Sequence, residues 1–171
     1  MKPRFMATAL PTICHKDTDR ACQVVARCFP EALPPPILRR SMRGGVVTIP
    51  CTRIDEERKV TIFDLSPARQ PELLEFYEHY LADDIDYFAL SPEEDPGLYR
   101  LAGIFREEPW PELKFVHCLT VGPYTAGLSI KDENGAPAFY NEQMRDIIVK
   151  YLAMRAKWRM REVQKLFPGI Q

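Results

Sequence analysis

At 171 residues the chain is long enough to bury one substantial core, and its 46% hydrophobic and 27% charged residues match a globular composition. A formal net charge of −1 and a sequence pI of about 6.3 exclude the overall basic footprint of a general nucleic-acid binder. No apolar run approaches the ~18 residues of a membrane span, and the stretch after the basic start MKPR is too short for a secretory signal, so a cytoplasmic location is expected. The five cysteines are odd in number and form no C-x-x-C pair, which points to reduced thiols.

The elements alternate in type along the chain. FMATAL (5–10) reads as a buried strand closed by Pro11. Asp17 is placed to cap a helix through TDRACQVVARCF, with Ala21, Val24, Val25 and Cys28 on its apolar face, where Cys22 and Cys28 serve as small hydrophobes. FPEALPPPILRR (29–40) holds four prolines in twelve residues and must be an extended, ordered loop. GVVTIPCTRI and KVTIFDL form a β-hairpin across the charged turn DEER. PELLEFYEHYLADD begins with Pro71 in its first turn and spaces Leu73, Leu74, Tyr77 and Leu81 as a helix. DYFAL is strand-like, and PGLYRLAGIF returns to helix.

KFVHCLTV (114–121) is a strand that ends at Gly122-Pro123, followed by a loop with the turn DENG. Asn141 then caps the longest helix, 141–167, whose stripe is Met144, Ile148, Tyr151, Leu152, Trp158 and Leu166; at 1.5 Å per residue it spans roughly 40 Å. Charge is split between two segments. Residues 71–97 hold nine acids and no Lys or Arg, while 155–165 hold five basic residues and one acid. They are either two solvated faces or complementary faces that meet, within one chain or across subunits.

The order of four stretches resembles the N-terminal half of the methionine synthase and uroporphyrinogen decarboxylase-like barrel superfamily, and within it the methionine synthase-like methyltransferases. ATALPTICHKDTDRACQVVARCFPE is similar to the family's first strand, substrate loop and first helix. PPPILRRSMR resembles its Pro-rich loop ending in paired arginines. LLEFYEHYLADDIDYFALSPEEDPGLYRL matches its next helix-strand-helix. VGPYTAGLSIKDENGAPAFYNEQMRDIIVKYLAMRAKW resembles its Thr-Gly-Pro strand end, insert and long helix.

The resemblance implies an α/β fold: the first half of a (β/α)8 barrel with a β-hairpin insertion, as one domain, with ligands held where the strands end. It implies substrate-placing roles for Thr12, His15, Arg40, Thr120 and Gly122, and a small-molecule substrate. Gly122 would let a backbone or ligand approach closely, and Pro123 would stop the ladder. Thr125 would offer a second hydroxyl. His117, inside its strand, is expected to be a hydrogen-bonded core or lumen histidine. Arg39 and Arg40 could fork onto a carboxylate, the feature a decarboxylase-like reading would use. Cys14 and His15 alone cannot make a zinc site, which needs three or four ligands.

Two departures from the family pattern matter. Pro11-Thr12 stands where the family has Gly-Ser, so one backbone donor is lost and one hydroxyl kept. The sequence given stops at FPGIQ, near half a barrel's length, and has no His-x-Cys pair; the zinc that activates the thiol is expected only on the other half. No catalytic residue and no metal ligand is therefore assigned here, and the chain by itself is not expected to transfer a methyl group. An open half-barrel exposes strand edges, so a homo-oligomer or a second half-barrel chain is expected as partner. The alternative is a non-catalytic binding or interaction protein that keeps the fold. Neither nucleic acid nor membrane is expected as a partner.

Overall fold

Local signals start most of the helices. In the computed structural model, which describes residues 6–13, 15–38, 49–108 and 110–170, the elements in chain order are β1 (Thr12–Ile13), α1 (Thr18–Cys28), β2 (Ala32–Leu33), β3 (Ile37–Leu38), β4 (Thr52–Asp55), β5 (Val60–Phe63), α2 (Gln70–Leu81), α3 (Pro96–Glu107), β6 (Phe115–Val116), α4 (Pro123–Ser129) and α5 (Glu142–Leu166). Asp17 caps α1 by accepting the Arg20 N–H at 3.1 Å, and the Asn141 side chain accepts the Met144 N–H at 3.0 Å to start α5. Prolines open α2, α3 and α4, where the missing N–H costs no helical hydrogen bond. The fold is mixed α/β. Among the described residues no helix is long and apolar enough to cross a membrane.

The chain divides into two units. One comprises the described parts of Met1–Met42, Leu90–Leu119 and Arg159–Gln171, the other those of Arg43–Ala89 and Thr120–Trp158. In the first unit β1 runs parallel to β3, with Thr12 opposite Ile37, and β2 runs parallel to β6, with Leu33 opposite Val116. The apolar core there joins Cys22 and Val25 of α1 to Leu98, Leu101 and Ala102 of α3 and to Phe167. The approach is close because residue 97 is glycine: a Cβ there would lie 2.0 Å from the Pro36 carbonyl oxygen. Cys22 Sγ donates to the Gly97 carbonyl at 3.7 Å. Each fully buried leucine in this core contributes about 1.5–3 kcal/mol.

In the second unit β4 and β5 form an antiparallel hairpin from Thr52 opposite Phe63 to Asp55 opposite Val60. Asp55 accepts the N–H groups of Glu57 and Arg58, and Lys59 turns the chain with φ of 54°. The core centres on Phe76, Phe88 and Tyr151, whose rings meet edge-on at 6.1 and 5.8 Å, over Met144, Ile147 and Ile148 of α5.

Several sequence expectations change. Residues 6–10 form no strand and are mostly exposed, since pairing begins only at Thr12. The segment 29–40 is not wholly loop: β2 and β3 flank Pro34, Pro35 and Pro36, all buried. Cys22 is buried as expected, but Val24 and Cys28 are exposed, because the buried stripe of α1 runs through Ala21, Cys22 and Val25. Likewise α2 buries Leu73 and Phe76 while Leu74 and Leu81 face outward at 62% and 81% exposure. Ile85–Phe88 is a 3-10 turn rather than a strand, and the segment after Gly122 is the helix α4 rather than a loop. The described strands pair as three two-stranded sheets.

Candidate functional site

The first unit brings chemistry-bearing residues to the ends of its parallel strands. Ligands of parallel α/β sheets bind past the carboxyl ends of the strands, and here those ends deliver His15 after β1 and His117 after β6. His117 continues the ladder: its N–H donates to the Leu33 carbonyl at 2.8 Å. Its Nδ1 stands 3.3 Å from the Thr8 hydroxyl; the ring is half-buried just past β6, where the sequence reading expects a core or lumen histidine inside the strand. His15 sits at the start of α1, with Nδ1 3.0 Å from the Asp17 N–H and 2.9 Å from the Asp17 carbonyl. Both contacts are made by Nδ1, and its role as donor or acceptor follows the tautomer. Among the described residues Nε2 has no partner.

The other expected site residues divide between the units. Thr12, exposed in β1, belongs with His15 to the first unit. Thr120 and Gly122, both exposed, belong to the second. Arg40, with Arg39 and Cys14, lies outside the described residues. Gly122 carries no close approach: it precedes α4 with φ of −73°, and a Cβ there would meet nothing within 4 Å. The expected need for a bare backbone at 122 is therefore corrected. Pro123 does not end a ladder at that point but opens a helix.

A buried ion pair, unassigned in the sequence, organises the segment after β6. Arg159 Nη2 pairs with the Asp95 carboxylate, and Nη1 donates to the Leu119 carbonyl at 2.7 Å. The two side chains are 16% and 7% exposed. One guanidinium thus ties α5 to the start of α3 and to the exit of β6, using the planar fork that lysine lacks. The signal in the sequence was the split of charge between 71–97 and 155–165. Those segments do meet within the chain: Arg159 with Asp95 in the first unit, and Lys157 with Asp83 at 2.6 Å in the second.

Burial raises three of the thiols above their ordinary value. Burial, eased by Arg159 and reinforced by Asp95, pushes Cys118 up to about 11. Burial likewise raises Cys22 to about 12 and Cys51 to about 11, the latter with help from Glu72. The Asp17 carboxylate is taken up in capping α1, and His15 Nδ1 is held by the Asp17 backbone. Among the described residues no group of three or more His, Cys, Asp or Glu is placed to hold a metal ion.

The second unit has two polar clusters of its own. Tyr77 donates to Asp146 at 2.7 Å, and Lys150 pairs with the same carboxylate while lying 5.8 and 5.5 Å from the ring centres of Tyr77 and Tyr80. His79 is 2.8 Å from Asp84 and stacks on Tyr87 at 4.0 Å. That hydrogen bond holds the Asp84 carboxyl below its usual range.

Compared with family models, with curated proteins and with solved structures, the chain matches none.

Proposed function

We propose that these residues form the N-terminal half of a methionine synthase-like (β/α)8 barrel and place a small-molecule substrate for methyl transfer to a thiol. The zinc that activates the thiol would be held by ligands outside this chain. The observation that carries the reading is the pair of parallel strand ladders in the first unit, with His15 and His117 just past their carboxyl ends. The His15 ring, tied through Nδ1 to the Asp17 backbone, leaves Nε2 for a substrate group, and Thr12 is proposed to add a hydroxyl. Arg40 is proposed as an anion partner. Bond chemistry is not assigned to any of them.

Closure of the barrel is proposed to come from a second copy or a second half-barrel chain.

The test follows the imidazole resonances of His15 and His117 by NMR while L-homocysteine is added to the metal-free protein. Saturable shifts at His15 that vanish in His15→Ala support substrate placement. Unmoved imidazoles in a folded protein sink it and leave the non-catalytic interaction protein as the better reading. Stoichiometric zinc in the purified chain would overturn the assignment of the metal to another half.

A further inference from the structure

The first unit also holds a groove of about 410 Å³, within the range of small-molecule sites. It lies between the last turns of α1 and α3. Pro30, just before β2, and Trp110, just before β6, both line it, so it sits at the starting ends of those strands. His117 is at the opposite end of the same ladder. The groove therefore stands apart from the residues of the proposed function and does not depend on that reading.

Its walls carry opposite charges. Arg27 and Gln23 project from α1 on one side; Glu108 and Glu112 come from the segment after α3 on the other. Ile104, Pro30 and Trp110 supply apolar surface between them. Trp110 is held half-buried with its ring edge-on to Phe105 at 6.3 Å. Among the described residues neither Arg27, Glu108 nor Glu112 has an ion-pair partner, although Arg100, Lys114 and Arg159 in the same unit are all paired. A bare cation would be repelled by Arg27, and a bare anion by the two carboxylates. The carbonyl ends of α1 and α3 both add partial negative charge, which Arg27 offsets on its own side.

We propose that this groove binds a short zwitterion with an apolar side chain, of the free amino acid class. Its carboxylate forks onto Arg27, its ammonium sits between Glu108 and Glu112, and its side chain lies on Trp110 and Ile104.

The probe is L-leucine, read by calorimetry and by the emission of Trp110. The other tryptophan, Trp158, is buried in the second unit. Leucinamide, which lacks the carboxylate, and 4-methylpentanoate, which lacks the ammonium, are the companion probes. The expected result is saturable leucine binding, with both companions weaker by about tenfold or more, as loss of a charged hydrogen bond implies. Arg27→Gln and Glu112→Gln should weaken leucine by a similar factor, and their exposure keeps the fold intact. Leucinamide binding as tightly as leucine would overturn the zwitterion assignment. Absence of heat and of any emission change up to the solubility of leucine would overturn the site.

Discussion

Lys157 and Arg159 stand two residues apart on α5, yet their units use them in opposite ways. In the second unit Lys157 meets Asp83 with both side chains about half in water, at 49% and 62% exposure. In the first, Arg159 meets Asp95 in the interior and adds a backbone carbonyl. The same sign pattern in sequence thus yields one pair that water screens and one that it does not. Burial, rather than charge content, decides what each is worth.

Removing one partner is the strongest way to separate the two. Arg159→Met leaves Asp95 charged and buried and should cost about 3–5 kcal/mol in urea unfolding. Replacing both, as Arg159→Met with Asp95→Leu, should restore much of that loss. If Arg159→Met costs no more than Lys157→Met, the contrast between the units collapses.

The glycines sharpen the same contrast. Gly97→Ala drives a Cβ to 2.0 Å from the Pro36 carbonyl, so backbone must move; overpacking of this kind costs about 1–3 kcal/mol. Gly127→Ala in the second unit meets Phe139 at 3.0 Å, a tight but smaller conflict, and should lose less by the same measurement. Removing a helix cap should not distinguish the units. Asp17→Ala and Asn141→Ala are each expected to cost about 1 kcal/mol by thermal unfolding.

Acid and base should both act on the cluster around Asp146 in the second unit. Lys150 first, then Tyr77, hold the Asp146 carboxyl below the usual carboxylate range. Its contribution is present above the unfolded value of about 4 and is lost as pH falls through the lowered folded value. Asp146→Asn should flatten that acid limb in a plot of Tm against pH. Tyr77 is raised to about 12, by burial first and the bond to Asp146 second. Its contribution holds below about 10 and fades as pH rises towards 12, which a phenolate absorbance titration checks. The smallest expected effect is Lys157→Ala, about 1 kcal/mol or less and reduced further by salt.

What the sequence disclosed depended on the range of each signal. Asp17, Pro71 and Asn141 announced α1, α2 and α5 because caps and first-turn prolines act over three or four residues. The two-residue strands of the first unit were hidden, since Leu33 finds Val116 more than eighty residues away. Gly122-Pro123 was read as a strand end when it was equally a helix start, and the small side chains that follow carry no strong period. Faces shifted by one residue at Val24 and Leu74, because which stripe is buried depends on the partner element and not on the helix alone. At the candidate site, the place of His15 after an apolar run marked it as a candidate contact, whereas His117 read as a strand histidine and not as a site residue. Arg159 was not legible, because any of five basic residues between 155 and 165 would have served the pattern equally.

Pro34, Pro35 and Pro36 cross the first unit between β2 and β3, two strands that belong to different sheets. They bring no N–H groups into the interior, so this crossing poses only half the usual hydrogen-bonding demand of buried backbone. With each φ fixed, the crossing behaves as a strut of set length, about 3 Å per residue. Insertions that an ordinary loop would absorb should therefore be refused here. For anyone recombining this chain with another, the proline segment is a structural member and not a hinge at which to cut.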